Sequence, residues 1–218
     1  MKNLRRLAIV LGVGFGLTSP AWAQRMMQPP RITGEFKPVV GAGAQYEVTA
    51  EGKKTNWAYA VVGKESVEGA DGYWTEMRLE ADSKNGKMIM KHLMVMSGGA
   101  PEIKRMIMQA PGQPPMEMPM GMMGGMMKRA REASGEETAL GEKLGTESVT
   151  VPAGTFVCDH YRATKGKSAT DVWISAKVSP WGMVKMTSKD MTMELTKVLE
   201  NQTSEIKGEP QKMEMPQF

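Results

Sequence analysis

Lys87-Met88-Ile89-Met90-Lys91-His92-Leu93-Met94-Val95-Met96 is the stretch on which the fold turns. Successive side chains of a strand point to opposite faces. Read as a strand, the stretch puts Met88, Met90, His92, Met94 and Met96 on one side and Ile89, Lys91, Leu93 and Val95 on the other. One face is then a ladder of thioethers around an imidazole. A Met-filled core enclosing a hydrogen-bonded His fits this pattern, and so does a greasy ligand wall or a soft-metal site. Methionine serves all three, being an apolar, flexible filler whose sulfur ligates soft cations.

The alternation extends to both sides. Upstream, Tyr46, Val48 and Ala50 form one set, Trp57, Tyr59 and Val61 a second, and Tyr73, Thr75, Met77 and Leu79 a third. Turn formers at 51–53 and 69–72 separate them, and Asn85-Gly86 favours a tight turn into the Met ladder. Downstream, residues 147–151 lead through Pro152-Ala153-Gly154 into 155–163, followed by 171–175, 182–187 and 191–199, the last with Met191, Met193 and Leu195 on one side. Between the two sets, Ile103, Met106 and Ile107 after Pro101 predict a short helix near 101–109. Residues 110–125 hold Pro111, Pro114, Pro115, Pro119 and four Gly, which no regular element tolerates. A second short helix is predicted near 126–133.

Nine strands and one interruption predict a mainly β chain, α+β overall: a strongly bent antiparallel sheet or half-barrel with a short helical, Met/Pro-rich insertion. The expected organisation is a signal peptide at 1–23, a flexible lead-in at 24–40, the sheet domain at 41–200 with the insertion at 98–140, and a disordered tail at 201–218.

Lys2, Arg5 and Arg6 precede an apolar run at 7–17, and Ala21-Trp22-Ala23 is a small-x-small cleavage site, so the segment reads as a secretory signal cut after Ala23. A run of eleven residues is short of the ~20 that a spanning helix needs. The expected location is the periplasm. Removing the signal takes three of the 28 Lys and Arg and none of the 24 Asp and Glu, leaving a nearly neutral chain. Without a basic patch interleaved with aromatics, nucleic-acid binding has no electrostatic footprint. Cys158 is the only cysteine, so stability must come from an ordinary core.

No phosphate loop, His-x-x-x-His pair or Cys-x-x-Cys unit occurs. Cys158 and His160 share a strand parity, but side chains two apart on a strand are too distant for a tight nucleophile–base pair, and no third orienting residue is evident. The chain is therefore expected not to be an enzyme.

Several runs carry a family resemblance: Val62-Gly63-Lys64-Glu65, Gly72-Tyr73-Trp74-Thr75-Glu76, Lys104-Arg105-Met106-Ile107, and the block at 112–119. These are similar to exported bacterial proteins of unknown function. The block at 145–156, with Asp171-Val172-Trp173-Ile174-Ser175, resembles domains of the periplasmic lipoprotein-carrier (LolA/LppX-like) half-barrel superfamily. The resemblance covers roughly residues 44 to 200 and has no catalytic motif. It implies a curved antiparallel sheet closed by helices over an apolar cavity.

Three uses of methionine compete. An apolar ligand, either an acyl chain, a lipid or an apolar segment of an envelope protein, would sit among Met88, Met90, His92, Met94, Met96, Met191 and Met193, with no cofactor and with the insertion as a lid that touches the envelope membrane peripherally. Alternatively, Met116, Met118, Met120, Met122, Met123, Met126 and Met127 bind Cu(I) or Ag(I) as a thioether basket. The same segment could instead act as a sacrificial oxidant trap, because Met sulfoxide forms reversibly.

Overall fold

The computed structural model describes residues 34–80, 86–97, 100–119, 121, 124–125, 141–165 and 168–212. The chain divides into residues 1–31 and 32–218, and the signal segment lies outside the described residues.

All nine expected strands form, and three more join them. In chain order they are β1 (Gly43–Ala50), β2 (Lys53–Val67), β3 (Ala70–Glu80), β4 (Lys87–Ser97), β5 (Ala100–Gln109), β6 (Met116–Glu117), β7 (Glu142–Val151), β8 (Gly154–Lys165), β9 (Ser168–Ile174), β10 (Met183–Ser188), β11 (Met191–Leu199) and β12 (Gln211–Lys212). They make one twelve-stranded sheet in the order β12-β6-β5-β4-β3-β2-β1-β11-β10-β9-β8-β7. Two meanders, β1 to β6 and β7 to β11, are thus joined edge to edge where β1 pairs with β11. Among the described residues only β12 with β6 is parallel.

Local chemistry sets the hairpins. Glu51-Gly52 and Glu68-Gly69 connect their strands with both residues at positive φ, at 50° and 75° and at 52° and 84°. That turn matches the twist of the flanking strands. Five register shifts then bend the sheet, at Gln45/Tyr46, Val61/Gly63, Leu93/Met94, Lys143/Gly145 and Met183/Lys185. The bending brings distant backbone together. Tyr46 of β1 donates its hydroxyl to the Met183 carbonyl at 3.0 Å, and the β7–β8 turn reaches β11 through Ala153 N to Leu195 O at 3.1 Å.

The helix expected at 101–109 is instead β5, and the reason lies in its pairing with β4. Ile103 faces Met94 and Arg105 faces Leu93, so Lys104 is the extra residue of a bulge. Ile103 and Met106, three apart, come to share a face because of that insertion. The spacing imitates a helical repeat. The second helix expected, near 126–133, lies outside the described residues, and in the insertion Gly121, Gly124 and Gly125 have helical backbone.

Two further expectations change. Of the loose lead-in, residues 34–40 form no strand, yet Phe36 is buried between the rings of Tyr73 at 6.3 Å and Trp181 at 4.7 Å. Of the disordered tail, residues 201–212 are tied down by a buried ion pair that no sequence pattern announces. Arg78 Nε donates to Glu76 Oε1 at 2.8 Å, and the other guanidinium nitrogens donate to Gln202 Oε1 and the Thr203 carbonyl, both at 2.8 Å. The Ser204 hydroxyl and Glu205 N–H donate to Glu76 at 2.7 and 3.0 Å. Glu76 is fully buried and Arg78 nearly so. Charges taken from water need every lone pair satisfied, and the tail's polar groups do this.

The main core lies on one face and contains Tyr46, Val48, Trp57, Tyr59, Met77, Met90, Met183, Met186, Met193 and Leu195. A smaller cluster of Trp74, Leu93 and Ile107 occupies the other face, where Ile206 of the C-terminal segment covers it.

Candidate functional site

Register builds the larger face row by row. Met116, Met108, Met90, Met77, Tyr59 and Ala44 stand opposite one another across six strands. Met106, His92, Thr75 and Val61 form the adjacent row, and Met88, Leu79, Trp57, Tyr46 and Leu195 another. Farther round, Val48, Met193, Met186 and Val172 align. The thioether ladder read in β4 is therefore one rib of a methionine face that spans both meanders. Met88, Met90, His92, Met94, Met96, Met191 and Met193 all carry the parity of this face.

Burial divides these residues. Met90, His92, Met94 and Met193 are buried, Met88 and Met191 are half-buried against the core, and Met96 is 41% exposed. The Met94 sulfur lies 3.5 Å from the Thr75 hydroxyl. Sequence reasoning left Met77, Met106, Met108, Met183 and Met186 out of the site, although strand parity alone could have added Met77. Of the insertion methionines, Met116 extends the row from β6, and Met118 is buried with its N–H donated to the Met106 carbonyl at 2.9 Å. Met120, Met122, Met123, Met126 and Met127 lie outside the described residues.

Among the described residues, two polar atoms on this face are buried without a partner: Trp57 Nε1 and His92 Nδ1. An orphaned buried donor or acceptor costs about 1–3 kcal/mol and calls for an explanation. Burial pushes the His92 imidazole down to about 4, so it is neutral at physiological pH. Burial also pushes Tyr59 up to about 12. Around His92 and Tyr59 the face thus disfavours charge.

Cys158 and His160 have separate partners. The Cys158 thiol donates to the Phe156 carbonyl at 3.6 Å, and burial pushes it up to about 11. His160 is stacked on Trp173 at 4.4 Å, with Nδ1 3.1 Å from Glu147 and Nε2 2.8 Å from Asp171. Burial works to raise the Asp171 carboxyl, but hydrogen bonds from Arg162 and His160 outweigh it and hold it below the usual carboxylate range. The imidazole thus spans two carboxylates rather than facing the thiol. Among the described residues no group of three or more His, Cys, Asp or Glu side chains could hold a metal ion, and no helix is long and apolar enough to cross a membrane.

No family model matches the chain, and no curated protein does. Solved structures to which it is similar include a protein from Bacteroides fragilis classed as exported with a YmcC-like fold, at 13% identity and a TM-score of 0.38, covering 77% of this chain and 100% of that one. Another, from Parabacteroides distasonis and classed as a lipoprotein, has 14% identity and a TM-score of 0.40, covering 78% of this chain and 100% of that one.

Proposed function

We propose that the mature chain is an exported, non-enzymatic binding protein of the periplasm that holds an acyl chain on the methionine face. The supporting observation is the half-buried state of Met88, Met108 and Met191, all packed against the core yet partly open to solvent. Unbranched thioethers reshape at low cost, which suits a flexible hydrocarbon of variable length. Binding sites of this kind are mostly apolar, with a few placed polar groups. The unpaired Trp57 Nε1–H supplies such a group, since a carboxyl or ester oxygen would accept from it. Export rests on the signal read at 1–23, and a peripheral role for the insertion at the envelope membrane belongs to the same proposal.

A native mass spectrum of protein purified from its own envelope tests this directly. The expected result is an adduct of fatty-acid or lipid mass, and delipidated protein should bind a fluorescent fatty acid. Trp57→Phe should keep hydrocarbon binding while weakening the hold on a carboxyl or ester head group alike. Only empty protein, with no fatty-acid binding after delipidation, refutes the proposal.

A further inference from the structure

His92 asks for a partner that the fold does not provide. Its Nδ1 is fully buried and unpaired, and its neighbours on the face are Met90, Met94, Met106 and Thr75. Met106 stands directly across the β4–β5 seam, and Thr75 stands across the β3–β4 seam. Side chains so opposed have Cβ atoms about 4.5–5.5 Å apart, well within the reach of methionine's three rotatable bonds. The Met94 sulfur is already drawn to this spot, since it sits 3.5 Å from the hydroxyl of Thr75, the residue opposite His92. One unpartnered imidazole nitrogen and two methionine side chains thus share this part of the face.

We propose that His92 Nδ1, Met94 and Met106 form a buried site for a soft monovalent cation, Cu(I), separate from the methionine-rich insertion. Thioether sulfur and neutral imidazole are the ligand types that favour Cu(I), while the absence of carboxylates from this cluster disfavours hard divalent cations. A neutral donor set adds no buried negative charge, so the ion's single charge is the only one to be accommodated. Entry is provided by the ladder itself. Along β4, Met96 is 41% exposed whereas Met94 and His92 are buried, so an exposed methionine leads to the buried pair on the same face. Met96 would take the ion from solvent and pass it inward to Met94. The acyl-chain proposal uses methionine as hydrocarbon, whereas this site uses its sulfur lone pair.

The test is an anaerobic Cu(I) titration of the mature protein, kept reduced with ascorbate and competed with bicinchoninate. The parent should take up one tightly held equivalent. Met94→Leu/Met106→Leu conserves apolar volume and is expected to lower affinity roughly 100-fold, the upper end of what losing even an outer hydrogen-bond partner does to a metal site. The same exchange at Met116, Met118, Met120, Met122 and Met123 should leave that equivalent in place. X-ray absorption of the loaded parent should show one imidazole nitrogen and sulfur ligands. Near-ultraviolet circular dichroism checks that the double variant is folded. A folded double variant with parental affinity overturns the site, as does loss of binding in the insertion variant alone or a parent that cannot compete with bicinchoninate. Fatty-acid binding is read separately on the metal-free parent, so failure of one proposal is distinguishable from failure of the other.

Discussion

Exchanging His92 for Met replaces a buried imidazole, 6% exposed with Nδ1 unpaired, by a side chain the same face already accommodates at Met90, Met94 and Met106. The parent's imidazole has its folded pKa depressed to about 4 by burial, against 6.5 ordinarily. Its face neighbours Met90, Met94, Thr75 and Met106 carry no charge that could offset this. Between those two values the unfolded chain binds a proton that the folded chain does not, so stability falls as pH falls. The contribution is fully present above the unfolded value and is lost on acidification toward the folded one. Linkage then gives a loss of about 2 kcal/mol by pH 5 and about 3 kcal/mol by pH 4. Carboxylates held low, such as Asp171, Asp159 and Glu117, add their own losses below the ordinary carboxylate range. The useful window therefore ends near pH 5. Urea unfolding of chelator-treated protein, followed by tryptophan fluorescence at pH 7.5, 6.5, 5.5 and 5.0 (each about 1 unit or less apart), measures the effect. His92→Met should match or exceed the parent at pH 7.5 and lose about 2 kcal/mol less between pH 7.5 and 5. Parallel pH profiles for the two proteins would refute the neutral, desolvated imidazole on which the reasoning rests.

Arg78→Ala should destabilise by about 3–5 kcal/mol, because it leaves the fully buried Glu76 carboxylate without its guanidinium. It should also expose residues 201–205 to limited proteolysis, and parental stability in urea would contradict the anchoring role of this pair. Gly43→Ala should cost roughly 1–3 kcal/mol in the same assay, since its Cβ would collide with the Tyr59 carbonyl oxygen and approach Ala60 Cα to 2.9 Å.

The long strands were legible because their period-two alternation is strong. Parity alone placed Met88, Met90, His92 and Met94 on the face that also holds Met191 and Met193. β5 was not legible, because the bulge at Lys104 converts a strand into a three-residue spacing that mimics a helix. Strands of two residues, as in β6 and β12, leave no periodic trace at all. For the site, sequence supplied which methionines share a strand face but not which strands are neighbours. The row from Met116 through Met108 and Met90 to Met77 exists only in the register. The orphaned nitrogens of Trp57 and His92 are likewise a property of packing, not of residue type.

The seam between the two meanders has a consequence for how the chain is made. β1 and β11 lie side by side in the sheet, yet Val48 pairs with Met193 across a long stretch of sequence that holds β2 to β10. A polypeptide emerging amino-terminus first can assemble β1 to β6 early, since each pairs with a neighbour in sequence. The inner edge of β1, carrying Tyr46 and Val48, then waits uncovered until β11 arrives. Non-local pairing of this kind slows folding, and an open apolar edge invites other chains to dock. A product truncated before residue 191 would retain β1 to β10 but lack β11 and present that edge permanently, so partial chains of this protein should be far more prone to self-association than the intact one.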